Sequence, residues 1–129
     1  MGELSNELKE FIAAHIHSVI RLEVLLLLSE DPDKVWKTDA VARKLNLTSS
    51  SAKAHLKELR SQGLLVLVHE GELYRYQPSS EEVNKMVSQL SNAYAKQRIA
   101  VLTMIFSNPV DKVRLFTETF RMIKEESVD

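Results

Sequence analysis

The feature that most constrains this fold is a pair of short apolar stripes on either side of a tight turn. Both stripes repeat at intervals of three and four residues, which places their members on one face of a helix. They are Val41, Ala42 and Leu45 in the first segment, and Ala52, Leu56 and Leu59 in the second. The small side chain of Ala42 allows a close approach, and Leu47 fills the turn. The stripes therefore predict two short helices that pack across one another.

Capping residues mark the ends of these two helices. Thr38 is a suitable N-cap for a helix over residues 39–45. The next helix covers residues 49–62, and its N-cap is Thr48 or the residue after it. Gly63 follows directly, at the position where glycine most often ends a helix.

A β-hairpin is predicted after the second helix. Residues 64–69 and 73–77 are short segments rich in Val, Leu and Tyr, which favour strands. Glu70-Gly71-Glu72 lies between them and is typical of a hairpin turn, because Gly71 can adopt the unusual backbone angles. Pro78 closes the hairpin.

Three further amphipathic helices flank this unit. Apolar residues at spacings of three and four predict a long helix over residues 4–28. A second long helix covers residues 80–106, and Ser79 and Glu82 form a capping box at its start. A last helix follows over residues 110–125.

The composition favours a mainly helical protein, because Gly and Pro occur only three times each. The predicted fold class is mainly α with a small β-hairpin, in one domain over residues 1–129 whose core unit spans about 36–78.

Cysteine is absent, which excludes disulfides and thiolate chemistry. The N-terminus does not resemble a secretory signal, and apolar runs such as Val24–Leu28 are far too short to cross a bilayer. We therefore expect a cytoplasmic protein with no membrane partner.

The apolar spacing resembles the winged helix-turn-helix core of the ArsR-like and MarR-like bacterial regulators. Val41-Ala42-x-x-Leu45-x-Leu47 is followed by Ala52-x-x-His55-Leu56-x-x-Leu59 and by Gly63-Leu64-Leu65. The stretch His55-Leu56-Lys57-Glu58-Leu59 is particularly similar to the family's recognition helix, and Gly63-Leu64 is similar to its exit into the wing. The wing corresponds here to the β-hairpin predicted over residues 64–77. The resemblance covers Thr38–Pro78, about a third of the chain. It implies a DNA-binding transcriptional regulator that acts as a homodimer on double-stranded DNA.

The resemblance places helix 49–62 in the major groove, with its N-terminal half toward the base edges. The side opposite the apolar stripe then presents the candidate DNA-binding residues. For base contact these are Ser50, Ser51 and Lys53, with Ala54 near a thymine methyl group at most. Lys57, Lys44 and Thr48 are better placed for phosphates, and Arg75 is the only cation in the hairpin.

Positive charge is concentrated in the segment that contains the two predicted helices, as a DNA-binding site requires. The net charge of the whole chain, −1, is not that of a typical nucleic-acid binder. Residues 37–62 contain six Lys or Arg and two Asp or Glu, a balance of +4. The wing departs from the family pattern, because its tip, His69-Glu70-Gly71-Glu72, carries two carboxylates that would repel phosphate. Either the wing stays off the DNA, or the module is a winged-helix adaptor that binds a protein partner instead.

The histidines and carboxylates do not form a catalytic or metal-binding pattern. His15 and His17 are two residues apart on a helix, so they point in different directions and cannot chelate one ion. His55 adjoins the buried Leu56 and is expected to pack at the helix edge rather than read a base. The sequence contains no glycine-rich phosphate loop. We therefore expect no enzyme activity, no metal site and no cofactor.

The long helices predict a homodimer. A helix of about 25 residues is about 37 Å long, so it overhangs a small core and its apolar stripe has to be covered. In the related repressors the extra helices form the dimer interface, and the twofold dimer reads two half-sites about one DNA turn apart. The alternative is that the three flanking helices fold together as a monomeric bundle.

Overall fold

The computed structural model describes residues 4–68 and 73–107, in which six helices and three short strands follow one another. The helices are α1 Asn6–His15, α2 Val19–Ser29, α3 Thr38–Leu45, α4 Ser49–Ser61, α5 Glu81–Lys96 and α6 Arg98–Ser107, and the strands are β1 Trp36–Lys37, β2 Leu65–Val68 and β3 Leu73–Tyr76. The predicted hairpin turn and the predicted helix over residues 110–125 lie outside the described residues.

The helix-turn-helix prediction is confirmed by the packing of α3 against α4. Val41, Ala52 and Leu56 are fully buried between or beneath these helices. The turn is tight because Asn46 adopts the left-handed conformation, with φ 58° and ψ 49°, which asparagine tolerates better than most residues. The Leu47 N–H then donates to the Ala42 carbonyl at 2.8 Å, so the chain enters α4 at once.

Helix α4 ends in the glycine cap that the sequence predicts. Gly63 has φ +79°, and its N–H donates to the Arg60 carbonyl at 3.0 Å. The Leu64 N–H donates to the Leu59 carbonyl, also at 3.0 Å, which completes a Schellman motif. This cap turns the chain directly into β2.

The predicted hairpin is part of a three-stranded antiparallel sheet of order β1-β3-β2. The two-residue strand β1 was not predicted, and it pairs Trp36 with Tyr74. The side chains of Trp36, Tyr74 and Tyr76 are buried, so the base of the wing is fastened to the core by aromatic rings.

The N-terminal segment is two helices, so the prediction of one long helix over residues 4–28 is wrong. The pair α1 and α2 is bent by 107°. Ser18 begins α2, because its Oγ accepts a hydrogen bond from the Arg21 N–H at 3.0 Å. His17 Nε2 donates to the Ala13 carbonyl at 2.9 Å and satisfies one of the last carbonyls of α1. Apolar residues continue through the bend, where Ile16 is fully buried, so periodicity alone did not reveal it.

The second long helix, predicted over residues 80–106, is also broken. α5 ends at Lys96 and α6 begins at Arg98, while Gln97 between them leaves the helical region with φ −133° and ψ 51°. Neither Gly nor Pro lies at this break. Helix α1 packs against both α5 and α6, so tertiary contacts rather than a local signal account for the change of direction.

Two predicted caps are wrong by one residue. Thr38 is the first residue of α3 rather than its N-cap, and its buried Oγ1 has no hydrogen-bond partner among the described residues. Trp36 and Thr38 alternate with the exposed Lys37 and both face the core, which turns the Thr38 hydroxyl away from the helix terminus. At α5 the N-cap is Ser80, whose Oγ accepts from the Val83 N–H at 3.2 Å, so the expected capping box is not formed.

One cluster of buried apolar side chains joins the helices and the sheet. Helix α2 lies within it, and its Leu22, Leu25 and Leu28 are fully buried. Within residues 4–68 and 73–107, no single helix is long and apolar enough to cross a membrane; α1 and α2 reach that length and composition only when taken together across their bend. Among the described residues, the side of α4 opposite the core is exposed, and it carries Ser50 and Ala54 of the predicted site residues.

Candidate nucleic-acid interface

Helix α4 has distinct faces because successive residues rotate by about 100° around its axis. Ala52, Leu56 and Leu59 face the core and are fully buried. Ser50 and Ala54 lie on the opposite side and are exposed. The two flanks between these faces differ in character, one being basic and the other packing near the N-terminal helices.

The basic flank consists of Lys53, Lys57 and Arg60, which recur at intervals of four and three residues. Lys57 and Arg60 are exposed, and Lys53 is half-buried. Glu58, the one acidic residue of α4, lies on the other flank, where its carboxylate accepts from Gln62 Nε2 at 3.3 Å. Arg60 was not among the predicted site residues, although its spacing from Lys53 and Lys57 was visible in the sequence. Three cations on one flank form a surface suited to phosphates.

The two serines predicted to contact bases are not equivalent in the structure. Ser50 is exposed on the outer side of α4, next to Ala54 in projection. Ser51 is half-buried and lies on the flank of Glu58, away from the basic flank. Ser50 is therefore the better placed of the two for contact with a ligand in front of the helix.

Lys44 and Thr48 lie on either side of the turn between α3 and α4, and both are exposed. Thr48 is the N-cap of α4, and its Oγ1 accepts from the Ser51 N–H at 3.1 Å. Because the oxygen acts as acceptor in this contact, the hydroxyl proton can still be donated to a phosphate. Thr48 thus lies at the start of α4, and Lys44 lies in the last turn of α3 that precedes it.

A carboxylate that the sequence analysis did not select lies at the same end of α4. Ser49 Oγ donates to Asp39 Oδ1 at 2.8 Å, and both residues are exposed. The contact ties the first turn of α3 to the first turn of α4. A carboxylate here stabilises the helix N-terminus and is an acceptor of the kind that recognises the cytosine amino group.

The flank opposite the basic one contacts the bend between α1 and α2. Arg21 Nε donates to His55 Nδ1 at 3.3 Å, and His15 Nδ1 donates to Gln62 Oε1 at 3.2 Å. Burial, followed by the positive charge of Arg21, lowers the pKa of His55 below its ordinary value of 6.5. His55 therefore packs at the helix edge as predicted.

Arg75 belongs to the hairpin rather than to the helix-turn-helix unit. It is half-buried in the middle of β3, opposite Val66 on β2. Its Nη2 donates to Gln77 Oε1 at 2.8 Å, which directs the guanidinium toward the base of the wing. The structure thus places Arg75 on the sheet, whereas the other predicted contact residues lie on α3, on α4 or at the turn between them.

The chain is similar to a known protein in sequence and to two solved structures in fold. The nodulation protein NolR of Rhizobium meliloti is 28% identical over 92 residues, which are 71% of this chain and 75% of NolR. The multiple antibiotic-resistance repressor MarR of Listeria monocytogenes superposes with a TM-score of 0.50 at 21% identity, over 91% of this chain and 81% of that one. A MarR family protein from Bacillus stearothermophilus gives a TM-score of 0.48 at 14% identity, over 95% and 84% of the two chains. No family model matches the sequence. The superposition on the Listeria monocytogenes structure confirms the winged helix-turn-helix fold predicted from Thr38–Pro78.

Proposed function

We propose that this protein is a DNA-binding transcriptional regulator that acts as a homodimer and inserts α4 into the major groove. The observation that carries the proposal is the basic flank of α4, on a helix whose outer side is exposed among the residues that the structure describes. In the helix-turn-helix arrangement this is the helix that reaches base edges, while neighbouring cations hold the phosphates. The Listeria monocytogenes protein of similar fold is a repressor, which supports the same kind of function here.

An exposed apolar stripe on α6 supports the homodimer. Ile99 is 75% exposed and Phe106 is 67% exposed, and the half-buried Leu102 lies between them on the same face. After Arg98 the helix has no charged residue. A helix that is apolar on all sides is normally covered. A second copy related by a twofold axis would cover both stripes at once.

The decisive experiment is a titration of a fluorescent random-sequence duplex at low and at physiological salt. Wild type is compared with the double variant Lys53→Glu/Lys57→Glu, and Lys85→Glu/Lys96→Glu on the exposed side of α5 is the charge-matched control. We expect wild type and the control to bind with a logarithmic salt slope of about −0.9 per neutralised phosphate, and the α4 variant to lose most of its binding.

Two results would contradict the proposal. Equal weakening by the α4 and α5 variants would show that overall charge, and not the basic flank, attracts the duplex. Failure of wild type to bind at low salt would show that the fold serves another purpose.

A second candidate function is that of a winged-helix adaptor that binds a protein. It is favoured by the position of Arg75, whose guanidinium donates a hydrogen bond to Gln77 at the base of the wing. The sequence of the tip adds two carboxylates, Glu70 and Glu72. If the duplex titration fails, chemical-shift mapping of a protein partner on the wing is the next measurement.

A further inference from the structure

Side chains on the non-basic flank of α4 connect it to both sides of the α1–α2 bend. Arg21, in the first turn of α2, donates from Nε to His55 Nδ1 at 3.3 Å. His15, the last residue of α1, donates from Nδ1 to Gln62 Oε1 at 3.2 Å. Gln62 in turn donates from Nε2 to the Glu58 carboxylate. Helix α4 is therefore held at its middle and at its C-terminal end by the N-terminal helices.

These two histidine contacts respond differently to protonation. His15 is the donor in its contact, so a second proton on the ring leaves the hydrogen bond intact. His55 is the acceptor, and its Nδ1 lone pair receives the Arg21 Nε–H. A proton on His55 Nδ1 would place an N–H donor of the ring opposite the Nε–H donor of Arg21, and both side chains would then be positively charged. The Arg21–His55 contact therefore requires a neutral imidazole.

Among the described residues of the elements that pack against α4, Arg21 is the charged residue that acts on the His55 ring. Glu23, the other charged residue of α2, is exposed, and β2 has no charged residue. On α3, Asp39 is bonded to Ser49 at the far end of α4, and Arg43 and Lys44 are exposed. On α4 itself, the Glu58 carboxylate accepts from Gln62. Since the pKa of His55 lies below 6.5, the ring is neutral at pH 7 and the contact is formed.

We propose that Arg21 is a positioning residue for α4, and that its contact with His55 is a proton-sensitive link between the N-terminal helices and the DNA-reading helix. This inference rests on the proposed DNA-binding function. Helix α2, which carries Arg21, packs against α5, and α5 packs against α6, which carries the apolar stripe assigned to the dimer. The link thus connects the dimer side of the molecule to the side that faces DNA, and acidification releases it.

Charge alone predicts the opposite effect of pH on binding. A proton on His55 adds a positive charge to α4, which strengthens its attraction to phosphates. Release of the link removes a constraint on the position of α4, which weakens binding to a selected sequence. The sign of the pH effect therefore separates positioning from electrostatic attraction.

The first test needs no DNA. The pH titration of the His55 ring and of the α4 backbone amides is followed by NMR in wild type, Arg21→Gln, His55→Gln and the matched control His17→Gln. We expect amides along Ser50–Ser61 to shift with the His55 midpoint in wild type and in the control, and not in His55→Gln. Arg21→Gln should raise the His55 midpoint, because it removes the neighbouring positive charge. Amide shifts confined to the residues adjacent to His55 would overturn the inference.

The second test measures affinity for a duplex selected by wild type from a random pool at neutral pH. As the pH falls from neutral through the His55 midpoint measured in the first test, at constant ionic strength, we expect wild-type binding to weaken by at least about fivefold. His55→Gln supplies an acceptor that cannot be protonated, so its affinity should change much less. Stronger wild-type binding at acid pH would overturn the positioning role even though DNA binding itself stands. If no duplex is selected, the proposed function fails, and the amide titration alone decides whether the link positions α4.

Discussion

The Tyr76 hydroxyl donates a 2.8 Å hydrogen bond to Oδ1 of Asn84 and so joins the last residue of β3 to the first turn of α5. The Tyr76 side chain is only 6% exposed. Burial, with a smaller contribution from the Glu81 carboxylate, raises the pKa of Tyr76 to about 12. The base of the wing is therefore fixed to the flanking helices through a buried polar contact.

Replacing this hydroxyl should destabilise the protein. Tyr76→Phe leaves Asn84 Oδ1 without its donor, and we expect the free energy of unfolding to fall by about 1 kcal/mol. Urea denaturation monitored by circular dichroism measures the change. Tyr94→Phe is the matched control, because the half-buried Tyr94 contacts Arg98 through its ring face at 4.5 Å rather than through its hydroxyl. Equal losses in the two variants would show that the contact with Asn84 contributes nothing specific.

The raised pKa of Tyr76 also predicts a loss of stability at alkaline pH. The folded state holds the phenolic proton more tightly than the unfolded chain, whose pKa is near 10.0. The contribution is therefore fully present below about pH 10 and is lost as pH rises toward 12. Unfolding free energies measured from neutral pH upward should fall more steeply for wild type than for Tyr76→Phe. Parallel curves would contradict this assignment.

The lowered pKa of His55 predicts that the free energy of unfolding also falls at acid pH. Its folded-state pKa is lowered, chiefly by burial and then by Arg21, so the unfolded chain binds the proton more tightly. The contribution is present above about pH 6.5 and is lost as pH falls through the lower folded-state value. Wild type and His17→Gln should both lose stability as the pH falls below about 6.5 and through the lower folded-state pKa of His55. In His55→Gln this component should be absent, and a curve of unchanged shape would refute the prediction.

Gly63 is a position where a side chain should be costly. Its φ of +79° favours glycine, and an added Cβ would lie 3.2 Å from Ser79 Oγ and 3.3 Å from Ser79 Cβ. We expect Gly63→Ala to lower the free energy of unfolding by about 1–2 kcal/mol. Gly63→Asn is the control for backbone strain, because asparagine adopts the left-handed region more readily. If alanine is tolerated without loss, the cap does not contribute to stability as described.

The apolar stripe of α6 makes the dimer testable. Ile99→Asp and Phe106→Asp each place a carboxylate in the proposed interface, and Gln89→Asp on the exposed side of α5 is the control. Sedimentation equilibrium should show a dimer for wild type and the control, and a monomer for the two stripe variants, because an unpaired charge is not buried without large cost. A wild-type monomer, or dimeric stripe variants, would exclude this face as the interface.

Sequence signals that act over a few residues were sufficient to predict the helix-turn-helix unit. The apolar spacing of α3 and α4, the turn at Asn46 and the glycine cap at Gly63 depend on residues close together in the chain, so they could be predicted without knowledge of the packing. The same periodicity defined the exposed side of α4. Two features that were not predicted also had local signals in the sequence. Arg60 continues the spacing of Lys53 and Lys57, and Ser18 is a residue type that often begins a helix, as it begins α2.

The sequence by itself thus determined the unit that carries the candidate site, because helical period, caps and left-handed residues act over a few residues. Only the tertiary structure decided the break at Gln97, the pairing of Trp36 with Tyr74 and the contacts of His55 and Gln62 with the N-terminal helices. Each of these depends on groups far apart in the chain, such as Arg21 and His55, which are separated by 34 residues. No local pattern encodes which distant partner a side chain meets, since that follows from how the helices pack around the common core.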